Sequence, residues 1–494
     1  MADNLSAVGK KVKALANPLR DEGIGSGDYL EQITYLLFLK MVDEYSKPPY
    51  NREVRIPEGL RWDDLVSKSG DALEKKYKEI LEELGKMKGL LMEIFEGSEN
   101  KIKKPALLKK VIIMIDSENW VSMAADVKGA IYEELLKEYA EDTKSGAGQY
   151  FTPRALINTM VKCLRPEPNK TICDPACGTG GFLLSAYDFI SKSYSMDRNA
   201  KLFLKNDTVH GVELVRATYR LCLMNLFLHG IGDINSDYVP IFRGDPLISK
   251  PNDLYDYVLA NPPFGRKSSL TFTNEEGEEG SEDLTYNRSD FWTTTSNKQL
   301  NFVQHIYSIL KTTGRAAVVV PDNVLFEDGA GDTVRKNLLE KTNLHTILRL
   351  PTGIFYKQGV KANVIFFDNK LPSNEWATKE VWVYDFRTNI HFTLKQNPMT
   401  EDSLNDFVEC YHADNITERQ QTYDKDANPN GRWRKYSLKE VKDNGYKLDL
   451  KWMQEDDGSE DLTLGELVEK IKEKSDNIAN AVAELEKLIG KVEE

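Results

Sequence analysis

The chain has 494 residues, enough for two to four domains at roughly 150 residues each and enough to bury a large core without disulfide or metal staples. Hydrophobic residues make up 40% and charged residues 29%, which excludes a disordered or fibrous chain. With 65 Lys+Arg against 78 Asp+Glu the net charge is −13, so bulk charge will not hold nucleic acid, and such a substrate requires a local basic groove or a basic companion protein.

The five cysteines, Cys163, Cys173, Cys177, Cys222 and Cys410, are too few and odd in number for a secreted disulfide framework. Cys173 and Cys177 lack a second pair or a nearby His to complete a zinc site, so no metal is expected. The start, Met1-Ala2-Asp3-Asn4, has no apolar signal region. No apolar run reaches the ~18 residues that span a bilayer. A cytoplasmic enzyme or enzyme subunit is expected.

In chain order, residues 1–145 read as a helical domain. Tyr29, Leu30, Ile33, Leu36, Leu37 and Met41 share one face, and so do Tyr77, Ile80, Leu81, Leu84, Met87, Leu91 and Ile94. From Gln149 the texture changes. Short β-branched runs at Thr171–Cys173, Val209–Glu213, Tyr257–Ala260 and Ala316–Val320 alternate with helical stretches. That alternation predicts a parallel α/β sheet covered on both faces, in a catalytic domain over 146–400. Thr346–Leu350 and Ala362–Phe367 close the sheet. The stretch between them is too short for a helical crossover, so they should pair antiparallel. The polar, acidic stretch 266–298 reads as a solvated loop, with a substrate-contacting lid as the alternative. His229 and His305 read as packing residues. In the 401–461 extension, Trp433 with Arg432, Arg434 and Lys435 reads as ordinary surface, with a phosphate-contacting patch as the alternative. In the last segment, 462–494, Leu464, Val468, Ile471, Ser475, Ile478, Val482, Leu485 and Ile489 form a heptad seam interrupted once, at Ser475.

Two motifs carry chemistry. Asp174-Pro-Ala-Cys-Gly-Thr-Gly-Gly181 follows a strand and opens a helix, and its glycines let a ligand approach the backbone. No Lys-Ser or Lys-Thr follows, so it is not a P-loop. The acid ending the next strand is Glu213, further along than a dinucleotide fold wants. A carboxylate there suits both hydroxyls of a ribose, so the ligand is adenosine-like without being obviously NAD. The second motif, Asn261-Pro262-Pro263-Phe264, ends a strand. Its prolines stiffen the turn and remove two donors, leaving the Asn261 side-chain oxygen and the Pro262 carbonyl as acceptors for an exocyclic amino group. Phe264 offers a flat face for a ring.

Together the two motifs resemble the S-adenosylmethionine-dependent amino-methyltransferases of DNA. Gly148-Gln149-Tyr150-Phe151-Thr152-Pro153-Arg154, lying ahead of the Gly loop, resembles the segment that holds the methionine end of the cofactor in N6-adenine methyltransferases. The motif order is that of the gamma type, and over most of the chain the resemblance is to the modification subunit of type I restriction-modification systems. It implies a Rossmann-like methyltransferase sheet with an all-helical N-terminal domain and a C-terminal heptad helix. It implies that Gln149, Tyr150, Phe151, Thr152, Pro153 and Arg154 line the methionine end of S-adenosylmethionine. Asp174, Gly178, Thr179, Gly180 and Gly181 would surround it, Glu213 would take the ribose, and Asp245 would sit beside the adenine. Cys177, at a position often Ala or Gly, is a small departure. Asn261, Pro262, Pro263 and Phe264 would receive an adenine flipped out of double-stranded DNA. The chain shows no sequence-reading module or Walker motif, so a specificity subunit and a restriction subunit are the implied partners. The rival readings are an RNA or protein-amide methyltransferase, and a scaffold of the same fold without activity.

Overall fold

The computed structural model describes residues 14–123, 132–136, 152–265, 269–273, 279–283, 285–355, 360–394, 396–453 and 475. Gln149, Tyr150, Phe151 and the heptad seam other than Ser475 lie outside these residues.

The N-terminal region carries helices α1 (Ser26–Ser46), α2 (Trp62–Val66), α3 (Gly70–Leu84), α4 (Leu90–Phe95) and α5 (Pro105–Asp116). In α3 the three- and four-residue spacing puts Leu73, Tyr77, Ile80, Leu81 and Leu84 on one buried face. Pro105 opens α5, where its missing N–H costs nothing. Helix α1 is buried around most of its circumference, Gln32 and Thr34 included. Both polar groups are satisfied. Gln32 Nε2 donates to the Glu99 carbonyl at 2.9 Å and its Oε1 accepts from Tyr77 at 3.2 Å, while Thr34 donates to Tyr132 at 3.2 Å.

The rest of the chain alternates strands and helices. It runs α6 (Arg154–Leu164), β1 (Ile172–Asp174), α7 (Gly181–Ser193), α8 (Arg198–Asn206), β2 (Val209–Glu213), α9 (Arg216–Leu228), β3 (Ile241–Arg243) and β4 (Tyr255–Ala260). After a small hairpin, β5 (Ser269–Thr273) and β6 (Glu279–Asp283), come α10 (Lys298–Ile309), β7 (Leu310–Pro321), α11 (Asp322–Phe326), α12 (Ala330–Lys341), β8 (Thr342–Arg349), β9 (Ala362–Asn369) and β10 (Glu380–Asp385). Helix α13 (Asn405–Tyr411), strand β11 (Trp433–Ser437) and helix α14 (Leu438–Asp443) follow. No helix among the described residues is long and apolar enough to cross a membrane.

One nine-stranded sheet has the order β11-β10-β8-β9-β7-β4-β1-β2-β3. Strands β3, β2, β1, β4 and β7 are mutually parallel, and β9 runs antiparallel to both β7 and β8. The antiparallel pairing expected of 346–350 and 362–367 is present, with Leu348 opposite Val364. Alternate residues feed two cores. Leu259, Ala317, Val319 and Phe366 join a core continuous with the N-terminal helices, while Val258, Ala260, Val318 and Phe367 join the core on the other face. Both faces are therefore covered, as a parallel sheet requires.

The helical region is fastened to α9. Phe38 and Phe227 lie 4.7 Å apart between centroids. Buried Arg220 reaches Glu31, Tyr35 and, at 3.0 Å, the Glu96 carbonyl.

The sheet extends beyond the two strands expected to close it. Strand β10 adds parallel to β8 and β11 adds antiparallel to β10, so residues of the 401–461 extension belong to the same sheet. Trp433 is consequently not surface. It is fully buried and stacks on Trp382 at 5.2 Å, and Arg432 is spent on the carbonyls of Asp385 and Thr388 at 2.7 and 3.0 Å. The 266–298 stretch is also less exposed than a solvated loop. It contains the β5–β6 hairpin, and Tyr286, Arg288 and Asn297 beyond it are buried. His305 is a packing residue as expected. Burial pushes its imidazole down to about 3, so it is neutral and accepts from Arg288 at 3.0 Å.

Candidate functional site

Strand order reverses between β1 and β4, since β2 and β3 continue to one side and β7 to the other. In such sheets the crevice beyond the strands' C-terminal ends at the reversal is where ligands bind. Both motifs stand there. The Gly loop leaves β1, Asn261 follows β4, and Glu213 ends β2.

The Gly loop is set by backbone geometry. Gly178 and Gly180 have φ of +55° and +86°, a region that side chains disfavour. A Cβ at Gly178 would meet nothing within 4 Å, so the loop opens onto free space. A Cβ at Gly181 would stand 3.0 Å from Ile157, which explains how closely α6 and α7 pack. The Cys177 sulfur is turned into the core, 3.8 Å from that of Cys222. Asn225 on α9 donates to the Thr179 carbonyl at 2.9 Å.

Glu213 braces this loop. Its carboxylate accepts from Gly178 N at 3.0 Å and from Val215 N at 2.7 Å. Burial raises its proton affinity, and those backbone donors oppose the rise. Asp174 is fully buried and accepts from Ala176 N at 3.0 Å. Burial pushes its carboxyl up to about 8; the Ala176 N–H works against that rise and the Glu213 charge adds to it. Just past Glu213, Leu214 and Val215 are 57% and 55% exposed, an apolar surface beside a carboxylate that the motif reading did not single out.

The described part of the preceding motif bridges the two halves of the crevice. Arg154 Nη1 donates to the Gly181 carbonyl at 3.3 Å and pairs with Glu133 at 3.2 Å. Pro153 caps α6. Thr152 Oγ1 accepts from Asn261 Nδ2 at 2.8 Å. The Asn261 oxygen is buried and has no hydrogen-bond partner among the described residues, an unusual state for a buried acceptor and one that calls for a donor. Phe264 is buried and meets Phe355 edge-on, with ring centroids 5.7 Å apart and planes at 89°.

Asp245 stands in the turn after β3. Its oxygens accept from Leu247 N at 2.9 Å and from the Tyr286 hydroxyl at 2.7 Å. Arg288, paired with Asp290, donates to the Pro246 carbonyl at 3.2 Å. Tyr286 and Arg288 are supports the motif reading missed. They lie in the polar stretch after Phe264, and no local pattern connects them to Asp245.

Comparison with known proteins shows the family of the chain. The family model described as N-6 DNA Methylase matches residues 123–461, and the HsdM N-terminal domain model matches residues 8–115. The chain is 37% identical to the type I restriction enzyme StySPI methylase subunit of Salmonella potsdam, over 97% of this chain and 94% of that one. The crystal structure of the type I restriction enzyme EcoKI M protein is similar with a TM-score of 0.54 and 34% identity, over 92% of this chain and 90% of that one. A chain from a type I restriction-modification system solved for its complex assembly and conformational transition shares the fold, with a TM-score of 0.73, 24% identity and 98% of each chain covered. The chain therefore belongs to the N-6 DNA methylases, as an adenine-specific DNA methyltransferase of the type I restriction-modification methylase subunits.

Proposed function

We propose that the crevice between β1 and β4 binds S-adenosylmethionine on its Gly-loop side and a flipped adenine on its Asn261 side. When bound, the cofactor supplies an electrophilic methyl group on a sulfonium. The residues fit it. The Gly178 cradle is open, Glu213 offers a carboxylate for the ribose, and Leu214 and Val215 offer apolar surface beside it. Asp174, Thr179, Gly180 and Gly181 line the loop, Asp245 takes the adenine end, and Gln149 to Arg154 take the methionine end.

Asn261 Oδ1 and the Pro262 carbonyl accept the two N6 hydrogens of the target. That draws the nitrogen toward tetrahedral geometry and frees a lone pair otherwise delocalised into the ring. Pro263 keeps the turn rigid, and Phe264 offers a face to the base. Positioning and dipoles opposite the developing positive charge are the main catalytic terms. The observation that carries this reading is the buried Asn261 oxygen, without a hydrogen-bond partner among the described residues, whose amide nitrogen is held by Thr152.

Sequence specificity is supplied by a separate specificity subunit, and a restriction subunit joins the larger complex. The C-terminal seam is the element offered to the specificity subunit, because a lone helix with that spacing leaves an apolar stripe to cover. The test uses the complex assembled with a specificity subunit and duplexes in which purine, lacking the amino group, replaces the target adenine. Wild type should bind the adenine duplex more tightly than the purine duplex, and Asn261→Ala should lose that binding preference. A preference unchanged in the variant would refute the assignment.

A further inference from the structure

The turn after β4 is held by a residue outside every motif. Gln299, in the first turn of α10, is 4% exposed. Its amide nitrogen donates to the Pro263 carbonyl at 3.2 Å and also to the Gly265 carbonyl. These two carbonyls flank Phe264, so one side chain spans the turn. The carboxamide orientation is determined, because a flip would set an oxygen against two carbonyl oxygens. Gln299 Oε1 is itself buried without a hydrogen-bond partner among the described residues, so none of them competes for the group.

Its anchor is rigid. Asn297 caps α10, its oxygen accepting from Gln299 N at 3.1 Å and Leu300 N at 3.2 Å, and its nitrogen donates to Glu327 at 2.8 Å. Pro262 and Pro263 have locked φ angles. Fixing the carbonyls of Pro263 and Gly265 therefore holds the Phe264 backbone and, through the prolines, the direction of the Pro262 carbonyl.

We infer that Gln299 is a positioning residue for methyl transfer. It is the donor that presents the Asn261–Phe264 turn to the target amino group, without touching the cofactor. This inference rests on the assignment of Asn261 and Pro262 as acceptors for that group.

The test is single-turnover methyl transfer by the complex assembled with a specificity subunit, at saturating cofactor, for Gln299→Leu and Gln299→Glu. Gln299→Leu removes both donated bonds. Its rate should fall about ten- to a hundredfold, the scale of a small misplacement at a reacting centre, with cofactor affinity within about twofold of wild type. In Gln299→Glu the introduced carboxyl can donate to one carbonyl only when protonated, and burial raises its proton affinity. Its rate relative to wild type should therefore be highest at low pH and fall as pH rises. Glu327, the charged group held beside this helix start, is present in both proteins, so the ratio isolates the introduced carboxyl.

A pH-independent ratio for Gln299→Glu, or full activity in Gln299→Leu, would overturn the inference. So would equal losses of rate and cofactor affinity, which would mark a general support of the fold. Should Gln299→Leu fail to fold, the pH-dependent ratio of Gln299→Glu decides alone, and should that variant fail too, Gln299→Asn, which keeps the amide but shortens its reach, must lose rate at unchanged cofactor affinity. Failure of the underlying assignment is separable: an active Asn261→Ala refutes that reading, whereas an inactive Asn261→Ala with an unaffected Gln299→Leu refutes only the role of Gln299.

Discussion

Thr152 and Asn261 stand 109 positions apart, yet the Thr152 hydroxyl accepts the Asn261 amide at 2.8 Å. That bond ties the segment ahead of the Gly loop to the turn after β4. In the structure the amide nitrogen is the end of the Asn261 carboxamide engaged there, and its oxygen has no hydrogen-bond partner among the described residues. Thr152→Val should leave Asn261 free to rotate. A neutral hydrogen bond is worth about 0.5–1.5 kcal/mol, so methyl transfer should slow roughly two- to tenfold. Thr152→Ser, which keeps the hydroxyl, should stay near wild type. Single-turnover rates of the two variants check this.

Glu213 has two duties, bracing Gly178 and Val215 and facing the proposed ribose. Glu213→Ala removes a charged acceptor worth about 1.5–3 kcal/mol, so S-adenosylmethionine binding should weaken roughly ten- to a hundredfold. Calorimetry on the folded variant measures it. An unchanged dissociation constant would place the ribose elsewhere.

Asp174 makes the free chain lose stability as pH rises from acid through neutrality. Its folded pKa is raised by burial to about 8, so the native state holds a proton that the unfolded chain releases in the ordinary carboxylate range. Its contribution to stability is complete below that range and is lost as pH rises toward about 8. The thermal midpoint of the cofactor-free protein should therefore decline between about pH 4 and 8 and level off above that. The decline should be shallower in Asp174→Asn, which keeps an acceptor for Ala176 N. Parallel pH profiles for the two proteins would contradict this.

Removing residues 462–494 should leave the sheet folded and cofactor binding intact while abolishing association with a specificity subunit. Co-purification of full-length and truncated chains reads this out. A truncated chain that still assembles and methylates normally would exclude the seam as the docking element.

What the sequence made legible was local. The Gly loop and the Asn-Pro-Pro-Phe turn announce themselves because positive φ and locked φ demand particular residues. The β8–β9 pairing followed from a short connection. Strand β11 escaped notice because Arg432, Arg434 and Lys435 surround Trp433 and mask its buried face, and because its partner β10 lies far back in the chain. Tyr286, Arg288 and Gln299 escaped for a related reason. Each is a polar residue whose partner is 34 to 42 positions away, and no periodicity records such a bond. Their stretch is rich in charge and so resembles solvated loop, although its second half is packed against the site.

The central claim is that Asn261 accepts the target amino group and has no part in holding the cofactor. Methyl transfer from labelled S-adenosylmethionine to DNA by Asn261→Ala, assembled with a specificity subunit, tests it most directly, with cofactor affinity measured on the same preparation. The account predicts that transfer is abolished while the dissociation constant stays within about twofold of wild type, a change of less than roughly 0.5 kcal/mol. Substantial methylation by the variant would contradict it.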